Sequence, residues 1–341
     1  MDKDTIKRLI IEYQQFVANI TLIEREIHLS HQLNYVFVGL RRAGKSYLMY
    51  QQIQSLLNDG HQPEEILYFN FEDDRLVNLT VEDLDLIKVS YEELYPHKPI
   101  FFLDEIQIVE HWEKFARRLA DQQYRVYITG SNAKMLSAEI ATTLGGRYIV
   151  QNVYPFSFSE FLKASKIEIG PTWYYKNRTE IVRTFSDYFS YGGLPELMLI
   201  ETIEKRQWLS NLFNKIFFGD LITRYSIRND LAMKVLIRKL AESVKQPSSF
   251  NRLTNIVSTT GAKVSTDTII DYLNFLQATW LFFSLENYAS KLVEKISNRK
   301  YYFIDNGLLN LFLIDPVTSL LENIVAISLK KKRNSIFINK I

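Results

Sequence analysis

The stretch Gly39-Leu40-Arg41-Arg42-Ala43-Gly44-Lys45-Ser46 constrains the fold more than any other part of the chain. It has the G-x-x-x-x-G-K-S spacing of a loop that wraps a phosphate. Ahead of it, Tyr35-Val36-Phe37-Val38 is a short apolar run of β-branched and aromatic residues, which suits a buried parallel strand. Behind it, Leu48, Met49, Ile53, Leu56 and Leu57 recur close to helical spacing. Strand, glycine loop and helix are therefore expected in that order. Glycines at 39 and 44 let the backbone curl so that successive N–H groups face one anion, and the helix N-terminus adds its dipole. Lys45 is placed to reach the β- and γ-phosphates and the Ser46 hydroxyl to hold Mg²⁺. Gly39 to Tyr47 is thus the candidate nucleotide-binding segment.

A second stretch supports the first. Ile100-Phe101-Phe102-Leu103 runs into Asp104-Glu105, a buried strand that ends in two acids. Such a strand can deliver one carboxylate, Asp104, to a Mg²⁺ shell. The next, Glu105, can orient and deprotonate a water, which favours hydrolysis over transfer to another acceptor. A further strand, Arg125 to Ile128, leads into Thr129-Gly130-Ser131-Asn132. Ser131 first, and Asn132 second, are candidates to contact the γ-phosphate or the water; a plain turn is the alternative. Arg147, after Gly145-Gly146, is a candidate to neutralise transition-state charge in its own site or a neighbour's, and equally a surface arginine.

Strands alternating with helices predict an α/β P-loop NTPase, a parallel sheet with helices on both faces, over residues 1–153. Met1 to Gln32 reads as a helix with Ile6, Leu9, Ile10, Tyr13 and Phe16 on one face. From Pro155 the texture changes to aromatic-rich helices, giving a helical domain over 154–233. Residues 234–304 read as three short helices and a hairpin, Trp280 to Leu285 with Lys300 to Phe303, the pattern of a winged helix-turn-helix. Lys263, Lys291, Lys295, Arg299 and Lys300 lie near its turn and wing, where duplex DNA phosphates would be met. The alternative is a protein-binding winged helix with a solvated basic edge. Residues 305–341 form a short C-terminal piece, with a helix around Leu320 to Leu329.

Composition narrows the classes. With 341 residues, 47% hydrophobic, the chain can hold two or three cores. The net charge of +2 means that any nucleic-acid surface must come from local clustering. Absent cysteine, no signal-peptide core and no run near ~20 apolar residues point to a cytoplasmic protein without a membrane segment.

The chain resembles the prokaryotic AAA-type ATPases in which a P-loop domain precedes a domain of unknown function. The residues that carry the resemblance run the length of the chain. They are the loop at Gly39 to Ser46, Leu103-Asp104-Glu105-Ile106-Gln107, Ile128-Thr129-Gly130-Ser131 and Gly146-Arg147. They continue with Phe156-Ser157-Phe158-Ser159-Glu160-Phe161, Gly192-Gly193-Leu194-Pro195-Glu196 and Asp220-Leu221-Ile222-Thr223-Arg224-Tyr225. Asp305-Asn306-Gly307-Leu308 and Leu321-Glu322-Asn323 complete them. The resemblance implies an AAA+ fold with a helical lid and a winged helix, and ATP with Mg²⁺; by motif match, Lys45, Ser46, Asp104 and Glu105 carry the family's core roles. Related chains often continue into a nuclease-like module. Glu322 matches that module's first acid, but no later acid and lysine pair follows, so no nuclease activity is expected.

Two readings of function follow. One is an ATPase whose cycle moves the lid and winged helix, acting on DNA or a protein partner. The other is a slow nucleotide-dependent switch with a protein partner and no DNA role. A trans-acting Arg147 would require a homo-oligomer. No guanine-reading Asn-Lys-x-Asp is present, which favours ATP.

Overall fold

The computed structural model describes residues 2–76, 79–130, 142–286, 291–292 and 297–338. The chain divides into two compact units, Met1–Gly39 with Gly44–Val153, and Leu40–Ala43 with Tyr154–Ile341.

The first unit opens with helix α1, Lys3–Asn19, capped by Asp2, whose side chain accepts from the Thr5 N–H at 2.8 Å. It buries Ile6, Leu9 and Ile10 of the expected face together with Val17, whereas Phe16, expected on that face, is half exposed. The helix stops well short of Gln32. Gln54 Nε2 donates to the carbonyls of Val17 and Ile20, at 3.3 and 2.8 Å, so these end groups are satisfied without another turn. The next residues, Ile20-Thr21, are β-branched and disfavour continuation.

Five strands follow: β1 Asn34–Val38, β2 Ile66–Asn70, β3 Ile100–Asp104, β4 Val126–Gly130 and β5 Tyr148–Asn152. All pair in parallel, in the order β2-β3-β4-β1-β5. Helices α2 Lys45–Asn58, α3 Val81–Leu94 and α4 Trp112–Asp121 connect them. The inner strands are continuous apolar runs because parallel sheets are covered on their faces. Stacked rings reinforce them, Phe102 lying 4.5 Å from Tyr127. β5 is an edge strand, and there Ile149 and Val150 are exposed. The register aligns Val38 with Gly130 and Leu103 with Ile128. The carboxyl ends of β1, β4 and β3 therefore lie side by side.

The second unit begins with α5 Phe158–Ala164, held by a reciprocal cap between Ser157 and Glu160. Then come α6 Trp173–Lys176, α7 Arg178–Tyr191, α8 Thr202–Lys215, a π-helical segment Ile216–Thr223, and α9 Asp230–Glu242. A three-stranded antiparallel sheet follows, built from β6 Ser248–Ser249, β7 Phe282–Glu286 and β8 Asn298–Phe303 in the order β6-β8-β7. The expected hairpin is β7 with β8. β6 is two residues long, too short to leave a pattern. Helices α10 Phe250–Thr259 and α11 Thr266–Ala278 are capped by Ser249 and Ser265. After α12 Asn306–Asn310, helix α13 spans Val317–Ile338, longer at both ends than Leu320 to Leu329.

A buried polar junction organises this unit. Asp305 accepts from the N–H groups of Gly193 and Gly307, both at 2.8 Å, and of Leu308 at 3.3 Å. A Cβ on Gly192 would stand 2.0 Å from the Asp305 carboxylate, and one on Gly307 would stand 1.9 Å from the Tyr191 carbonyl. Asn323 accepts from the Phe303 N–H at 2.9 Å and donates to Asn306 at 2.9 Å. Burial pushes the Asp305 carboxyl up to about 6, against the pull of its three N–H donors. The unfolded chain thus releases this proton first, and the unit loses stability as pH rises from about 4 to about 6. Asp305→Asn is expected to remove that component from the pH profile of urea unfolding. Asp305→Ala, which strands three buried donors, is expected to cost about 3 kcal/mol or more at any pH.

Candidate functional site

The loop fills the turn between β1 and α2. Val153 donates its N–H to the Val38 carbonyl at 2.7 Å, so β1 stays bonded up to the turn. A Cβ on Gly39 would lie 2.1 Å from the Val153 carbonyl oxygen, and only glycine fits there. Gly44 has φ +93°, in the region glycine enters without penalty, and forms the N-cap of α2. Lys45, 5% exposed, donates from Nζ to the Gly39 carbonyl at 3.3 Å and so reaches across the loop. Tyr47, one turn into α2, is half exposed.

Asp104 ends β3 and is 2% exposed. Its carboxylate accepts from three elements: Thr129 Oγ1 on β4, Tyr68 OH on β2 at 2.8 Å, and the Ser46 side chain on α2. Burial pushes this carboxyl above the usual range; the Thr129 hydrogen bond opposes the shift, and the nearby Glu105 charge adds to it. Tyr68 lies 3.0 Å from the Tyr50 hydroxyl, and burial pushes its phenol well above its ordinary value, so it remains a donor. Thr129 Oγ1 also accepts the Glu105 N–H, at 2.9 Å. One hydroxyl therefore ties both acids to the neighbouring strand.

Glu105 has φ +56°, a left-handed value that costs a non-glycine residue about 1 kcal/mol. That turn swings its side chain off the line of β3. Gln107 donates to the Glu105 carboxylate from Nε2, while its Oε1 is buried with no hydrogen-bond partner among the described residues.

The fold thus brings Gly39, Lys45, Ser46, Asp104 and Glu105 to one end of the sheet. The hard oxygens of Ser46 and Asp104, in contact with each other, form a donor set that suits Mg²⁺. Arg147 is not among them. It precedes β5, whose first residue aligns with Asn34, the first of β1, so it lies at the opposite end of the strands, about 15 Å away. There its guanidinium pairs with Asp121. An arginine before a parallel strand cannot serve the loop after its neighbour in the same chain. Ser131 and Asn132 fall outside the described residues. Thr129 and Tyr68 are the residues that sequence reasoning missed. A threonine closing the strand beside β3 was the available sign.

In the second unit, Lys263 and Lys291 are exposed, Arg299 pairs with Glu286 at 2.9 Å, and Lys300 pairs with Glu322 at 2.6 Å. Lys295 lies outside the described residues. Among the described residues no helix is long and apolar enough to cross a membrane.

Residues 32–162 match the family model of an AAA domain, and 182–317 that of a domain of unknown function (DUF8612). The chain is 32% identical over 336 residues to an uncharacterized protein of Methanocaldococcus jannaschii, covering 97% of this chain and 74% of that protein. It is also 32% identical to an uncharacterized protein of Haemophilus influenzae, covering 94% of this chain and 82% of that one. Among solved structures, the Walker-type ATPase of Pyrococcus abyssi aligns over 91% of this chain and 95% of its own, at 11% identity and a TM-score of 0.49.

Replacing Thr129 with valine keeps the shape but removes the bridging hydroxyl. The substitution is expected to cost about 2 kcal/mol in urea unfolding, because a buried carboxylate loses a donor, while Thr129→Ser stays close to wild type.

Proposed function

This chain belongs to the AAA-domain family of its archaeal and bacterial relatives, and from that premise we propose that it binds ATP with Mg²⁺ and hydrolyses it. The observation that carries the reading is the contact of Ser46 with the buried Asp104, beside a loop whose lysine reaches across its own mouth. When bound, Mg-ATP supplies the γ-phosphoryl group and a divalent charge that draws electrons from it. The backbone N–H groups of the loop and Lys45 Nζ hold the phosphates. Ser46 Oγ and the Asp104 carboxylate would hold the metal, and the hydrogen bonds from Thr129 and Tyr68 would fix that carboxylate in place. Glu105 takes the proton of the attacking water on its carboxylate.

In the second unit we assign 154–233 to a helical lid and 234–304 to a winged helix. Helices α9 to α11 followed by the β7–β8 hairpin have the element order that a winged helix requires. Of the cations predicted from the sequence, Lys263 and Lys291 are exposed among the described residues and could meet DNA phosphates. The nucleotide cycle would move these parts against a DNA or protein partner. A slow switch with a protein partner is the second reading. Two observations favour it: Gln107 already donates to the Glu105 carboxylate, and Arg299 and Lys300 are engaged in ion pairs.

Steady-state ATP hydrolysis separates the readings. Glu105→Gln is expected to lower turnover at least about a hundredfold while ATP still binds, and Lys45→Ala to abolish binding. A DNA-coupled enzyme turns over faster with duplex, and its DNA affinity falls steeply between ~50 and ~200 mM salt. Wild-type turnover near zero, unchanged by duplex, replaces it with the switch. No ATP binding by wild type would falsify both.

A further inference from the structure

The phosphate loop carries three cations within five positions, Arg41, Arg42 and Lys45, and Lys45 turns back on the loop. The middle of the loop, Leu40–Ala43, clusters with the second unit, whereas the glycines on either side belong to the first. Within the second unit, Arg41 Nε lies 3.2 Å from Asp220 Oδ2 and its Nη2 lies 3.4 Å from Oδ1, a side-on pair. Asp220 is 7% exposed and sits in the π-helical segment. Arg224 Nη2 approaches the same carboxylate at 3.5 Å. The next residue of the loop, Arg42, pairs with Glu196 and lies 5.8 Å from the Trp208 ring. Its backbone is left-handed, φ +63°, a conformation that persists where surrounding contacts enforce it.

We propose that Asp220 and Glu196 are positioning residues for the phosphate loop, acting through Arg41 and Arg42. The inference rests on the nucleotide reading above. Two guanidiniums beside an anion site would otherwise collapse onto any phosphate or wander. Drawn outward by two carboxylates, they stretch the arc 40–43 into one shape and leave its N–H groups to the ligand. An arc ordered in advance spares the nucleotide the entropy of ordering it, and that saving appears as affinity. Asp220 answers to two arginines, so the Arg41 pair is the more firmly anchored of the two. Neither carboxylate touches the reacting phosphate, so their removal acts on binding more than on turnover.

The test is the dissociation constant of a fluorescent ATP analogue with Mg²⁺, measured with KM, kcat and the unfolding midpoint. Arg41→Gln leaves the Asp220–Arg224 pair intact and keeps the fold out of question. It is expected to weaken binding about tenfold, which is the loss of one well-made contact, with KM rising and kcat little changed. Asp220→Asn should match it, the double variant should be no worse than either single, and Asp220→Glu should recover part of the loss. Full additivity of the two, or wild-type affinity in Arg41→Gln, overturns the assignment while leaving the nucleotide reading standing. A wild type that binds no ATP overturns both, and the two failures are told apart by that control.

Discussion

A carboxylate at the end of an apolar strand is the constraint on which the first unit depends. Asp104 is nearly sealed from water, and an ionised group in such a place costs several kcal/mol unless donors surround it. Its donors come from β2, β4 and α2, so the charge can be tolerated only when all three are in place. Hydrogen bonds to a charged group contribute about 1.5–3 kcal/mol each, enough together to offset the burial. The strand order follows the same logic. β3 must be flanked by the strands that carry Tyr68 and Thr129, and β4 must separate it from β1. The metal-binding pair of the proposed mechanism is therefore also a fixed point of the fold.

How much of this was legible in the sequence depends on the range of the interaction. The loop, α2 and the acid-ended strand show in contiguous residues, because each is specified by its own spacing. Thr129 and Tyr68 did not, because their role comes from strand neighbours that only the assembled sheet reveals. The end of α1 was hidden for a similar reason: the side chain that closes it, Gln54, lies on another helix. Arg147 was readable from polarity alone, since a residue ahead of a parallel strand lies far from the turn that follows its neighbour. The expected hairpin was visible as two aromatic runs, whereas β6 is a pair of serines.

The second unit answers a different question, what motifs without obvious chemistry do in this chain. Gly192-Gly193, Asp305 with Gly307, and Asn323 meet in one buried junction, where the glycines exist to let a carboxylate and a carbonyl come close. Glu322, beside Asn323 in sequence, faces Lys300 and Tyr302 instead, and holds α13 to β8. In both cases a polar residue with the look of a catalytic group has a packing partner that accounts for it.

The π-helical segment Ile216–Thr223 bears on how this chain tolerates changes in length. A π turn holds about one residue more than an α turn, so the segment is in effect an insertion absorbed within a helix. Deleting a single residue between Phe217 and Ile222 would let the helix close as a regular α ladder. Residues after it, Arg224 and α9 among them, would keep close to their present azimuth relative to α8, because the wide turn already takes up the extra residue. The same deletion inside the regular turns of α8 has nothing to take it up and would rotate all that follows by about 100°. A stretch that looks like an ordinary apolar helix is thus the place where a one-residue deletion has the shortest reach.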